Sequence, residues 1–280
     1  MKSETIDKAL VSRDFLTVTT INNFLQLWLR GDYLKGKARD VFENYYRSYI
    51  NEFGSYIQYY YAEQTRDLFD ELGNDKKLKI LEVGCGCGTE SLWLAMQGYS
   101  VTAIDISDDL LEVANCRKKI LENFLGRSLS CNFVKRSLLN ITDEQYDVIW
   151  MSQTFHHLVP RAKVLMKLSE LLCTGGKLII SETNGMNPLI QLRYFLLRGF
   201  KTVINHCGEQ WGNERIIMAH NLVRSLSRHD IANKKVRYYR LLPNKSWVTQ
   251  IVSRFGIIDK KVFGLLRPLY THYNYLGTKQ

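Results

Sequence analysis

The sequence predicts an α/β fold: a mostly parallel sheet of seven strands with helices on both faces. Three observations point to it. From Lys77 onward, short β-branched runs alternate with longer amphipathic ones, the pattern of repeated strand–helix–strand units. The first run leads into a glycine-rich turn that opens a helix, and an aspartate, Asp105, closes the second run about twenty residues later.

Taken in order, Lys79 to Val83 reads as the first strand, and Thr89 to Gln97 as a helix with Leu92, Trp93, Ala95 and Met96 at helical spacing. Tyr99 to Asp105 is the second strand. The next helix, Asp108 to Leu125, is capped by Ser107 or Asp108 and turns Leu110, Leu111, Ala114, Ile120, Leu121 and Phe124 inward. Cys131 to Lys135 and Tyr146 to Met151 are strands three and four. The following helix takes Pro160 in its first turn and is expected to end at Thr174-Gly175-Gly176, before strand five at Lys177 to Glu182. Asn187 to Ile204 breaks the alternation: it is an unusually apolar helix carrying Arg193, Arg198 and Lys201, and marks an insertion over residues 185–212. A helix from Glu214 to Ser227, a strand from Lys235 to Leu242, a short helix from Trp247 to Phe255 and a strand from Thr271 to Gly277 complete the reading. Residues 1–76 are helical in pattern and no turn-rich linker follows them, so they form a helical N-terminal cap on a principal domain of residues 77–280.

At 280 residues, 45% of them hydrophobic, the chain is long enough for one large core. No apolar run reaches the roughly 18 residues that cross a bilayer, and the first residues lack the apolar stretch of a signal peptide, so a cytoplasmic protein is expected. The six cysteines show no C-x-x-C pair, and Cys85 and Cys87 lie inside the glycine turn, so free thiols and no metal site are expected. The net charge of +10 suits nucleic acid, anionic lipid or an acidic metabolite. Much of the excess lies late in the chain, among Arg224, Arg228, Lys234, Lys235, Arg237 and Arg240.

The sharpest motif is Glu82-Val83-Gly84-Cys85-Gly86-Cys87-Gly88-Thr89. Glycines allow a tight turn and close approach of a ligand to the backbone at a helix N-terminus. A dinucleotide site has G-x-G-x-x-G, whereas here the spacing is G-x-G-x-G with Thr89 in the place of the last glycine. Glu82 would repel a pyrophosphate and suits a ligand with an amino group, and Asp105 stands where a carboxylate can accept two ribose hydroxyls.

These segments, with Ala103-Ile104-Asp105-Ile106-Ser107, Tyr146 to Leu158 and Leu171 to Glu182, resemble the class I S-adenosylmethionine-dependent methyltransferases. The His156-His157-Leu158 run resembles the small-molecule branch that includes quinone-biosynthesis methyltransferases. The resemblance implies a Rossmann-like fold and S-adenosyl-L-methionine as cofactor. It further implies that Gly84, Cys85, Gly86 and Gly88 meet the cofactor through backbone, with Glu82 near its amino acid end, Asp105 on the ribose and Ile106 on the adenine. Where the family often places an acid after strand three, this chain reads Ser137-Leu138, and Ser137 is the substitute. The backbone at Met151 and Ser152 closes the pocket near the sulfonium.

Methyl transfer to a hydroxyl needs alignment, exclusion of water and one base. His157 or His156, beside the cofactor loop, is the nearest base by topology, with Glu182 at the end of strand five as a further site for proton transfer or substrate contact. The expected acceptor is a small molecule, apolar or lipid-linked, approached from a tyrosine-rich cap (Tyr45, Tyr46, Tyr49, Tyr56, Tyr59, Tyr60, Tyr61), with peripheral membrane contact through the apolar basic helix. Two rival readings are an RNA or protein methyltransferase, which the basic C-terminal third favours but the absent Asn-Pro-Pro-Tyr-type run does not, and a non-catalytic cofactor-binding module.

Overall fold

The computed structural model describes residues 15–50, 53, 55–142, 144–198, 207–208, 212–213, 216–241 and 266–280. Its main strands are β1 (Lys79–Val83), β2 (Ser100–Asp105), β3 (Cys131–Lys135), β4 (Tyr146–Ser152), β5 (Leu172–Thr183), β6 (Ile231–Tyr239) and β7 (His272–Lys279). They form one seven-stranded sheet in the order β3-β2-β1-β4-β5-β7-β6. Strands β1 to β5 pair in parallel, and β7 is antiparallel to both β5 and β6. The strand order reverses between β1 and β4, so their C-terminal ends open a crevice of the kind in which doubly wound sheets bind ligands. A separate two-residue ladder pairs Cys207–Gly208 with Gly212–Asn213.

Both faces of the sheet are covered. The helices are α1 (Ile21–Arg30), α2 (Gly36–Tyr45), α3 (Arg47–Ile50), α4 (Ser55–Leu72), α5 (Thr89–Met96), α6 (Asp108–Leu125), α7 (Arg161–Leu171), α8 (Pro188–Arg198) and α9 (Ala219–Ser227). Adjacent residues of β1 go to opposite sides, as the pleat requires. Ile80 joins a core with Val148, Trp150, Leu92, Trp93 and Leu111, whereas Leu81 joins Ile149, Leu178, Leu165 and Leu222. Burial on both faces explains why the central strands read as continuous apolar runs.

Helices α1 to α4 pack over the first of these cores. Helix α1 is amphipathic, with Ile21, Phe24, Leu25 and Trp28 buried, and the Thr20 side chain caps it by accepting from the Asn23 amide. Helix α4 is held to the antiparallel edge by ion pairs. Asp67 meets Arg237 at 2.7 Å and Lys235 at 3.0 Å, Glu63 meets Arg237 at 3.1 Å, and Glu71 meets Lys177 at 3.0 Å and Lys234 at 3.1 Å. Burial raises the cost of charge on Asp67, but Arg237, Lys235 and the Asn274 amide outweigh it and hold its carboxyl below the usual range. Three of the late-chain basic residues are therefore committed to the cap.

The described elements differ from the sequence reading at several boundaries. Pro160 precedes α7 as its N-cap residue and does not sit in the first turn. Helix α7 stops at Leu171, and β5 begins at Leu172, well before the expected Lys177. The chain Cys173 to Gly176 forms a bulge between the pairs Tyr146↔Leu172 and Val148↔Lys177, with Gly175 at φ +80°. At Gly176 a side chain would collide with the Cys173 carbonyl, 2.7 Å from where its Cβ would lie. Strand β6 starts at Ile231 and ends at Tyr239, because Arg240 adopts φ +63° and turns the chain out of the sheet. Helix α9 begins at Ala219, and α8 is described over Pro188–Arg198. The expected helix at Trp247 to Phe255 and the expected helical residues 199–204 lie outside the described residues, as do the side chains of Tyr56 and Arg198.

Candidate active site

The glycine turn joins β1 to α5 at the switch point. Gly84, Gly86 and Gly88 have φ of +73°, +52° and +74°, a region that side chains rarely occupy. At Gly84 a Cβ would strike Thr154, and at Gly86 it would strike the Tyr45 hydroxyl. The amides of the turn are largely engaged within the protein. Gly84 and Cys85 donate to the Ile104 carbonyl at 2.8 and 3.1 Å, Gly88 donates to the Cys85 carbonyl at 2.8 Å, and Gly86 donates to Asp105 Oδ2 at 2.9 Å. A pyrophosphate needs free N–H donors, so this turn is a poor anion cradle. It offers close backbone approach beside a carboxylate.

Asp105 ends β2 and accepts from Gly86 and, through Oδ1, from the Ser107 amide at 3.0 Å. A carboxylate has about four acceptor positions, so about two remain for a diol. Next to it Ile106 is 72% exposed, an apolar side chain left in water at the crevice mouth. Glu82 is buried and lies beneath the turn, where the Ser91 hydroxyl of α5 donates to its carboxylate. Burial and the neighbouring Glu90 push its carboxyl well above the usual range. Ser137 is half-buried and its carbonyl accepts from Asn140 at 3.0 Å, whereas the Leu138 and Met151 side chains are in the core. Ser152, at the end of β4, is hydrogen-bonded by Gln64 of the cap at 2.5 Å.

The segment after β4 brings the candidate base and acid together. His156 Nδ1 lies 2.8 Å from Glu182 Oε2, and the His156 amide donates to Glu182 Oε1 at 3.2 Å. Glu182 is fully buried, yet His156 and the amides of His156 and Thr183 hold its carboxyl below the usual range against the effect of burial. A charged Glu182 fixes the Nδ1–H tautomer, which leaves Nε2 as the basic nitrogen. The rings of His156 and His157 are in contact, with centroids 4.0 Å apart and planes tilted by 48°. Glu182 does not cap α8; Asn187 does, accepting from the Leu189 and Ile190 amides at 2.9 and 3.0 Å. Gln153, at φ +51°, ties the loop to β5 by donating its amide to the Ser181 carbonyl at 2.8 Å and accepting from the Thr183 hydroxyl at 2.9 Å.

The tyrosines of the cap divide by position. Tyr46, Tyr60 and Tyr61 are buried, and Tyr45 lies over Gly86 while remaining partly exposed. Tyr60, Tyr239 and His272 form a ring cluster with centroids 5.4 to 5.7 Å apart, capped by Arg240 at 4.1 Å from the Tyr60 ring. Sequence reasoning did not find Thr154, Gln64 or Arg117 at the site, since each is distant in the chain from what it touches. Thr154 at least follows the strand that supplies Ser152.

Among the described residues no cluster of side chains could hold a metal ion, and no helix is long and apolar enough to cross a membrane. Residues 81–178 match the family described as "Methyltransferase domain". Methyltransferase GfsG of Streptomyces halstedii is 29% identical over 140 residues, 50% of this chain and 50% of that protein. A ubiquinone biosynthesis O-methyltransferase of Rickettsia conorii is 32% identical over 118 residues, 41% of this chain and 39% of that protein. The chain thus spans about half or less of the length of these curated relatives. Magnesium protoporphyrin IX methyltransferase from Synechocystis, solved with bound SAH, superposes with a TM-score of 0.56 at 14% identity, covering 85% of this chain and 94% of that one. The fold is therefore the Rossmann-like fold of S-adenosylmethionine-dependent methyltransferases.

Proposed function

We propose that this chain, which carries a class I S-adenosylmethionine-dependent methyltransferase domain, methylates a hydroxyl of a small-molecule acceptor with His156 as general base. The observation that carries this reading is the 2.8 Å contact between His156 Nδ1 and a buried, charged Glu182 at the C-terminal edge of the sheet. A carboxylate acceptor has no proton to lose, whereas a hydroxyl does, so an oriented imidazole favours the hydroxyl.

The cofactor, S-adenosylmethionine, fits the residues present. Asp105 keeps acceptor positions for ribose hydroxyls, exposed Ile106 offers an apolar platform for adenine, and the turn admits a ligand with no pyrophosphate. When bound, the cofactor supplies an electrophilic methyl group on a sulfonium. Gly84, Cys85, Gly86 and Gly88 give it close backbone approach, and Ser137 and the backbone at Met151 and Ser152 flank the crevice. Glu82 supports the turn from below through Ser91. Glu182 holds His156, His156 Nε2 takes the hydroxyl proton, and the tilted His157 ring packs against it.

The acceptor side of the reading is apolar or lipid-linked. Leu189, Leu192 and Leu196, at 72%, 51% and 72% exposure, share one face of α8 with exposed Arg193 nearby, a combination suited to peripheral contact with an anionic membrane. A cytoplasmic location accords with the free thiols Cys85, Cys87, Cys116, Cys131 and Cys173. The test is calorimetry with S-adenosylmethionine and S-adenosylhomocysteine, followed by turnover of phenols with and without an apolar tail, free and in liposomes. Binding and turnover of a tailed phenol are expected. Absence of heat with both compounds refutes the methyltransferase reading, and turnover confined to RNA or protein refutes the acceptor.

A further inference from the structure

Arg117 is a charge in the core that no carboxylate among the described residues meets directly, although the buried Glu90 carboxyl of α5 feels its field. It stands midway along α6, is 0% exposed, and among the described residues forms no ion pair. Its Nη1 donates to the Cys87 carbonyl at 2.6 Å, inside the glycine turn, and to the Thr89 hydroxyl at 2.9 Å, at the first residue of α5. Its Nε and Nη2 have no acceptor. What faces the guanidinium is aromatic and belongs to the cap: Trp28 with its ring centroid at 4.5 Å, Phe42 at 5.1 Å and Phe24 at 5.9 Å. Tyr46, directly after α2, pairs with the same Thr89 hydroxyl at 2.5 Å.

The energetics are unfavourable for a purely structural part. Burying a guanidinium with no carboxylate in hydrogen-bond reach costs more than cation–π contacts return, and an apolar side chain of similar volume often leaves such a site as stable or more so. The two groups that Arg117 does hold, one carbonyl and one hydroxyl, both lie where the turn becomes a helix. The field of the charge is felt there as well, since Arg117 opposes the burial-driven rise in the pKa of Tyr46, Cys87 and Glu90.

We infer that Arg117 is a positioning residue that latches the glycine turn to the aromatic pocket of the cap, so that the turn keeps its ligand-ready shape only while α1 and α2 are docked. This deepens the function proposed above, and its ligand arm rests on that reading. The latch makes the cap part of the cofactor site without requiring any cap side chain to touch the ligand.

The test is hydrogen exchange on the full chain without ligand, wild type against Arg117→Met, which fills the volume and removes the charge and donors, paired with calorimetry using S-adenosylhomocysteine. The expected result is exchange at least about tenfold faster over residues 84–92 and 21–45 together, unchanged protection in β4 and β5, and affinity weakened at least about tenfold. Turn protection and affinity equal to wild type overturn the inference, as does faster exchange spread uniformly over the chain, or a loosened turn with unchanged affinity. If Arg117→Met does not fold, Thr89→Val removes the shared hydroxyl and decides on the same readouts. If the wild type binds no S-adenosylhomocysteine, the methyltransferase reading falls, and exchange over residues 84–92 still decides whether Arg117 holds the turn.

Discussion

Replacing Glu182 with Gln separates orientation of the base from every other property of the site. The amide is nearly isosteric, so the buried side chain keeps its volume, and its one oxygen, set at the Oε1 position, can still accept from the His156 amide at 3.2 Å while the Thr183 amide loses its acceptor at Oε2. It cannot keep both roles toward Nδ1. An amide NH2 facing Nδ1 selects the tautomer with the proton on Nε2, the nitrogen that has to be basic. The imidazolium formed as the hydroxyl loses its proton also loses a carboxylate whose oxygen is 2.8 Å away. Unit charges about 4 Å apart at an effective dielectric constant of about 20 interact by about 4 kcal/mol. At about 1.4 kcal/mol per decade, that is roughly a thousandfold in rate, within the range of about a hundred to ten thousandfold that general bases contribute. The assay is kcat with an accepted phenol at saturating cofactor, alongside calorimetric affinity for S-adenosylhomocysteine. A drop of about a thousandfold with near-constant affinity is expected. A variant that stays folded and loses less than about tenfold in kcat refutes the base assignment.

Three further outcomes follow from the geometry. Arg237→Met leaves Asp67, whose side chain is 3% exposed, with only Lys235 and Asn274, and should cost about 2–4 kcal/mol in urea unfolding, somewhat less than the full cost of breaking a buried pair because Lys235 stays. Gly88→Ala places a Cβ 2.5 Å from the Phe133 ring at φ +74°, and should lose about 1–3 kcal/mol from backbone strain alone, with weaker cofactor binding by calorimetry; unchanged urea midpoints would show that the turn relaxes. His272 is half-buried beside Tyr60, Thr271, Arg240 and His156, and desolvation, Arg240 and His156 hold its pKa well below 6.5. The unfolded chain therefore binds the extra proton, so stability is full above the ordinary value of 6.5 and falls as pH drops below it. A second loss should set in below about pH 4, where the depressed carboxyls of Asp67, Glu71 and Glu182 take up protons in the unfolded state first. Urea midpoints measured across pH should show both limbs, and His272→Gln should remove only the first.

Much of this architecture is visible in the sequence because it is set locally. Strand β1, the turn after it, helices α5 and α6 and Asp105 follow from periodicity, glycines and a serine cap within a span of about fifty residues. The start of β5 was not visible, since Thr174-Gly175-Gly176 carries the signature of a helix end and only pairing with β4 shows it to be a bulge. Arg240 is likewise no usual breaker; its positive φ is imposed by Thr271, whose amide and hydroxyl both donate to its carbonyl, at 2.9 and 2.8 Å. At the site, His156 and Glu182 stood out separately as candidates. Their contact depends on the register that sets Ser152 beside Ser181, which no local pattern encodes. Arg117 was invisible for the same reason: its partners Trp28, Phe42 and Cys87 are far from it in the chain.

The strand order also dictates a timetable. Strand β7, the last to be synthesised of the seven, lies between β5 and β6, and every ladder bond of β6 goes to it. While the ribosome is still making residues 272–279, β6 has no neighbour, and Lys235 and Arg237 are not yet in place beneath α4. The cap helices emerge first, and α4 obtains its ion pairs with β6 last. A nascent chain of this protein therefore carries an open β5 edge from the completion of Thr183 until His272 is made, and the slow step of its folding is expected to be the threading of one eight-residue segment into a gap bounded on both sides.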